Sequence, residues 1–145
     1  MNLIVISGSH LRHIYVLKKM VEAGLVQGIV LMRRENMILT PPDALSPHMR
    51  ELFLRHFHLR DRMEQKYFGG SNDNRMFNEV PSIEIDRMEL NSPKVEAFIQ
   101  ENHGDCIFTY GPDLLKKNIL NLVNGFAFNL HGGLSPWYKG SATMF

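Results

Sequence analysis

An asparagine and a histidine two residues apart, Asn129 and His131, stand where the apolar run Phe126-Ala127-Phe128 ends. If that run is a strand, alternation sends both side chains to one face. Gly132 and Gly133 follow, breaking the strand and letting a ligand approach the backbone. An amide donor beside a titratable ring, at a strand's end, suits a reaction in which an oxyanion develops and a proton moves. A strand-end asparagine and a histidine bonded to a neighbouring loop would look the same in isolation.

Two further groups sit at comparable places. Ser7-Gly8-Ser9-His10-Leu11-Arg12 follows a β-branched run and opens a predicted helix. Its backbone N–H groups, the helix dipole and Arg12 can hold a phosphate or carboxylate, with Ser9, His10 and Arg12 as the candidate residues. An ordinary strand-to-helix turn reads the same way. The segment matches neither the Gly-x-Gly-x-x-Gly fingerprint nor a P-loop. Tyr110-Gly111-Pro112-Asp113-Leu114-Leu115 follows a third apolar run. No metal site is expected. His56 and His58, two apart on a predicted helix, face apart. His10 and His13, three apart, have no third ligand nearby.

The elements that must position these groups alternate. Leu3–Ile6 and Gly28–Met32 read as strands buried on both faces, joined by a helix over 11–23 that turns Ile14, Leu17, Val21 and Leu25 inward and stops at Gly24. Residues 36–45 read as a loop. Ser46-Pro47 starts a helix that carries Met49, Leu52, Phe53, His56, Leu59 and Met63 at helical spacing to about Phe68. Its outer side is basic, with Arg50, Arg55, Arg60, Arg62 and Lys66 against Glu51, Asp61 and Glu64, whose helical spacing partly cancels the charge, and reads as a solvated face. Residues 69–74 form a loop and 82–86 a strand. A helix starts at Ser92-Pro93, buries Val95, Phe98 and Ile99, and stops at Gly104. A strand at 106–110, a short helix over Pro112–Val123 and a last strand at 126–130 complete the pattern. Strand–helix alternation predicts an α/β, Rossmann-like open sheet, mostly parallel, with helices on both faces. In such sheets ligands bind beyond the carboxyl ends of the strands, where all three groups lie.

The chain has 145 residues, 44% hydrophobic and 21% charged, with a formal net charge of +1. This fits a single domain with an ordinary core and exerts no global pull toward nucleic acid or anionic membrane. Its single cysteine, Cys106, excludes an internal disulfide framework and fits a reducing, cytoplasmic compartment. Cys106 lies in an apolar run and reads as a buried, inert thiol. No stretch has the ~20 apolar residues of a membrane helix, and the N-terminus lacks a signal-peptide pattern.

Asn129-x-His131 followed by Leu134, Pro136 and Gly140 resembles the active-site signature of the folate-dependent formyltransferases, the family of methionyl-tRNA formyltransferase, glycinamide ribonucleotide transformylase and the nucleotide-sugar N-formyltransferases. Gly133-Leu-Ser-Pro136 stands where the family usually has Ser-Leu-Leu-Pro, a departure closer to the sugar-modifying or uncharacterised branches than to the tRNA branch. The resemblance implies transfer of a formyl group from N10-formyltetrahydrofolate, without a metal, to a primary amine, with an amino sugar on a nucleotide carrier as the expected acceptor. It makes Asn129 and His131 the catalytic residues. Tyr110, Gly111, Leu114 and Leu115 would line the pterin site, and the turn carrying Ser9, His10 and Arg12 would hold substrate phosphate. The family adds a catalytic aspartate further along than Phe145. The expectation is therefore an N-terminal formyltransferase domain over residues 1–145, incomplete on its C-terminal side, weakly active or inactive by itself, with self-association into a homo-oligomer allowed. Neither nucleic acid nor membrane is an expected partner. The alternatives are a non-catalytic Rossmann-like binding domain derived from a formyltransferase and a nucleotide-dependent oxidoreductase; the missing glycine fingerprint disfavours the latter.

Overall fold

The computed structural model describes residues 1–33, 40–69 and 76–133. Five strands form one sheet: β1 (Leu3–Gly8), β2 (Val26–Met32), β3 (Ser82–Ile85), β4 (Cys106–Tyr110) and β5 (Ala127–Leu130). Their order is β3-β2-β1-β4-β5, and every pairing is parallel. The helices are α1 (Leu11–Glu22), α2 (Pro47–Phe68), α3 (Met76–Glu79), α4 (Pro93–Glu101) and α5 (Lys117–Leu120), the last continued by a 3-10 turn at Asn121–Val123. This is the expected α/β, Rossmann-like architecture.

β1 is central, and all six of its residues are buried. Its alternation divides the core in two. Leu3 and Val5 face α1, joining Leu17, Ile29 and Cys106. Ile4 and Ile6 face the other way, toward Val95 and Ile99 of α4 and Ile119 of α5. Each such side chain contributes about 1.5–3 kcal/mol on leaving water. Helices on both faces explain why these strands read as continuous apolar runs. Gly104 allows the tightest approach to this layer. A Cβ there would lie 2.5 Å from Cγ1 of Ile4.

Several boundaries differ from expectation. Leu25 is exposed and lies beyond α1, which ends at Glu22 with Gly24 at a φ of +68°. α4 stops at Glu101, and His103 rather than Gly104 takes the left-handed conformation. The helix expected over Pro112–Val123 begins only at Lys117. The residues before it form neither helix nor strand, and Asn91 holds them, accepting from the Lys116 N–H at 2.7 Å and donating to the Leu114 carbonyl at 3.1 Å. Arg87 also pairs there with Asp113. Ser46 caps α2, its hydroxyl accepting from the Met49 N–H at 3.3 Å. No residue of α2 is buried, so its periodic apolar residues are not core. The loops expected at 36–45 and 69–74 fall partly outside the described residues. No helix among the described residues is long and apolar enough to cross a membrane.

Cys106 is buried as expected, and burial pushes its thiol above the ordinary range. A raised pKa means less thiolate at neutral pH, so a disulfide reagent should modify the native protein at least ~10-fold more slowly than the unfolded chain. Equal rates with and without denaturant would contradict this packing.

Candidate functional site

Because every strand runs the same way, all five carboxyl ends meet one edge of the sheet. The winding order reverses between β1 and β4, so the crevice of such a fold opens above their ends. Ser9 and His10 follow β1, Gly111 follows Tyr110 at the end of β4, and His131 follows β5. The structure thus brings the three groups to neighbouring positions along one edge, β1 beside β4 beside β5.

His13 occupies the switch point itself. It sits one turn into α1, is only 3% exposed, and stacks edge-on against Tyr110 with ring centroids 4.4 Å apart. A Cβ at Gly111 would lie 2.1 Å from His13 Cε1, and one at Gly8 would lie 2.8 Å from Nδ1. The glycines at the ends of β1 and β4 therefore leave the space that the imidazole fills. Gly111 also has a φ of +79°, which a side chain resists. The His10 ring lies 5.4 Å from that of His13, yet no group of three His, Cys, Asp or Glu side chains among the described residues could hold a metal.

Asn129 is held from the neighbouring strand. Thr109 is its register partner, and the buried Thr109 hydroxyl donates to Asn129 Oδ1 at 2.8 Å. With its carbonyl occupied, the amide presents Nδ2 as donor. His131 is exposed, and its Nδ1 accepts from the Gly133 N–H at 3.0 Å. That bond places the proton of the neutral ring on Nε2. The Gly133 carbonyl lies 3.4 Å from the same nitrogen, so one peptide turn can serve the ring with or without a proton on Nδ1. Gly132 and Gly133 thus do more than break the strand. The Gly133 peptide orients the ring. Leu134, Pro136 and Gly140 lie outside the described residues.

The other candidate residues divide. Leu115 packs partly against the core, whereas Leu114 is 85% exposed on the segment before α5 and can meet a ligand only from solvent. Arg12 pairs with Glu64 of α2, which joins α1 to α2 and neutralises the cation beside the β1–α1 turn. Thr109 and His13 were not among the candidates. A threonine inside a buried strand needs a hydrogen-bond partner, and a histidine four residues before Leu17 shares its buried face. Those were the available signals.

No protein-family model matches the chain. A solved structure, phosphoribosylglycinamide formyltransferase from Anaplasma phagocytophilum, is similar in fold, with a TM-score of 0.55 and 14% sequence identity. The match covers 97% of this chain and 53% of that one, so this chain spans about half the neighbour's length. The likeness is one of fold, a parallel α/β sheet of the Rossmann-like kind.

Three substitutions test the site's construction. Gly111→Ala should cost about 2–4 kcal/mol in urea unfolding, from the positive φ and the collision with His13 together. In a His13→Ala background the cost should drop to the backbone part, about 1–2 kcal/mol. An unchanged cost would mean that the ring does not fill that space. Thr109→Val should release the Asn129 side-chain amide, moving its paired NMR signals toward free-asparagine positions while the backbone spectrum stays native. Unmoved signals would show that Thr109 does not hold it.

Proposed function

We propose that this chain is the N-terminal part of a folate-dependent formyltransferase that moves a formyl group from N10-formyltetrahydrofolate to a primary amine, with an amino sugar on a nucleotide carrier as the acceptor. One observation carries the reading. Asn129 and His131 stand at the end of β5, the amide held by the Thr109 hydroxyl and the ring by the Gly133 peptide. Such preorganisation is what oxyanion stabilisation requires, and one well-placed donor contributes about 10²–10³ in rate.

In this reading the formyl donor lies along the edge past Tyr110 and Gly111, where the segment anchored by Asn91 forms a wall. The amine nitrogen attacks the formyl carbon. Asn129 Nδ2 and His131 Nε2 donate to the oxygen that gains the charge. As the carbon–N10 bond breaks, the proton lost by the amine reaches the leaving nitrogen through solvent, because the Nε2–H tautomer of His131 keeps its own proton and its Nδ1 is held by the Gly133 N–H. Gly8 and Gly111 keep the backbone close-packed around His13, so the β1 and β4 ends stay in register. The sugar-linked acceptor rests on the sequence resemblance, through Gly133-Leu-Ser-Pro136.

The pairing of Arg12 with Glu64 favours a second reading at one point, a binding domain without transfer chemistry, because Glu64 already takes the guanidinium that a phosphate beside the β1–α1 turn would use. The two readings separate in one experiment. The complete reading frame that carries this chain is assayed with N10-formyltetrahydrofolate and a panel of nucleotide-linked amino sugars. We expect transfer that falls at least ~10²-fold in Asn129→Ala and in His131→Ala, with folate affinity little changed. Folate binding without transfer to any amine supports the binding domain. Loss of neither rate nor binding in both variants removes the proposed site.

A further inference from the structure

α2 is 22 residues long, and none of them is buried. It meets α1 near its C-terminal end, through the Arg12–Glu64 pair and the tilted Tyr15 and Phe68 rings 5.3 Å apart. Met49, Leu52, Leu59 and Met63 are 50%, 41%, 41% and 43% exposed. With His56 among them, the intervals alternate between three and four residues, the spacing of a coiled-coil seam. One flank of this seam carries His48, Arg55 and Arg62, each exposed and each one position ahead of a seam residue. A groove of about 490 Å³ runs beside it, with Arg55, Leu59 and Arg62 in its walls. On the other flank Arg60 is half-buried and held by Asp61 and Glu64. Of the helix's own acids, Asp61 and Glu64 serve Arg60 and Arg12, while Glu51 lines the groove one turn before Arg55, so the open flank carries Arg55 and Arg62 against a single carboxylate.

Charge decides which occupant fits. A second copy in antiparallel pairing would set Arg55 against the copy's Arg62, and in parallel pairing against the copy's Arg60. Like charges disfavour the antiparallel arrangement most, and the parallel one less, because Arg60 already has Asp61 and Glu64. We propose that this face of α2 docks an amphipathic helix with an apolar seam and an acidic facing flank, belonging to another polypeptide. Its apolar residues cover Met49, Leu52, Leu59 and Met63, and its carboxylates meet Arg55 and Arg62. His56, polar at the middle of the seam, sets the register by taking a polar partner residue there.

The probe is a synthetic peptide of about three heptads with leucine at the seam and glutamate on both flanks, alongside a twin with lysine in place of glutamate. Binding to the 145-residue chain is followed by fluorescence anisotropy. The glutamate peptide should bind with a Kd on the order of 10 μM, and the lysine twin at least ~10-fold more weakly. Leu59→Ser with Met63→Ser should weaken the glutamate peptide ~10-fold. Arg55→Glu with Arg62→Glu should reverse the preference between the twins while leaving thermal unfolding unchanged. Three results would overturn the proposal. One is equal binding, or none, by the two peptides. The second is a dimer in sedimentation that Leu59→Ser with Met63→Ser dissolves, which would make a second copy the occupant. The third is binding to anionic phospholipid vesicles that the glutamate peptide does not compete away.

Discussion

Parallel pairing of β1 with both β2 and β4 decides where this chain can do chemistry. A central strand buried on both faces has no free side chain along its length to offer a ligand. Only its end is available, and parallel neighbours deliver their ends to the same edge. The reversal of winding between β1 and β4 opens that edge at one place. The candidate residues for the reaction lie at or just after the ends of β1, β4 and β5. If β1 were an edge strand, the turn at Ser9 and the loop at Gly111 would no longer be neighbours.

The switch point is filled rather than empty, and this shapes the proposed site. His13 takes the space that side chains at Gly8 and Gly111 would otherwise occupy. Its contact with Tyr110 ties α1 to the end of β4. One strand over, the Thr109 hydroxyl reaches Asn129 across the β4–β5 pairing. Both interactions act sideways, from one parallel strand to the next, and together they hold the three strand ends as one unit. Arg12 works against a simple picture of the β1–α1 turn as an anion site, since Glu64 already neutralises it. A phosphate bound there would rely on the backbone at the start of α1 or compete with Glu64.

Much of this was legible from the residues. The β-branched run at Leu3–Ile6 and the apolar run at Cys106–Tyr110 announce strands covered on both faces. Ser46-Pro47 and Ser92-Pro93 mark helix starts because proline costs no hydrogen bond there and pre-sets φ. What failed to show had tertiary causes. Residues 112–116 stay out of the helix, held by Asn91 and Arg87 more than twenty residues earlier. The periodicity of α2 says which residues share a side but not whether anything covers that side. The links Thr109–Asn129 and His13–Gly111 depend on strand register, and Arg12–Glu64 on how two helices pack. None of these is encoded in local spacing. The placement of Asn129 and His131 at a strand's end was readable, and the groups that orient them were not.

The central claim is that the ends of β1, β4 and β5 form one ligand site. The direct measurement is a titration of isotope-labelled chain with 5-formyltetrahydrofolate, a stable relative of the proposed formyl donor, followed by backbone and side-chain amide NMR shifts. The account predicts saturable shifts at residues 8–13, 110–115 and 129–133 with a single apparent Kd. Shifts confined to one of these segments, shifts centred on α2 or the amino ends of the strands, or no shift at millimolar ligand would contradict it.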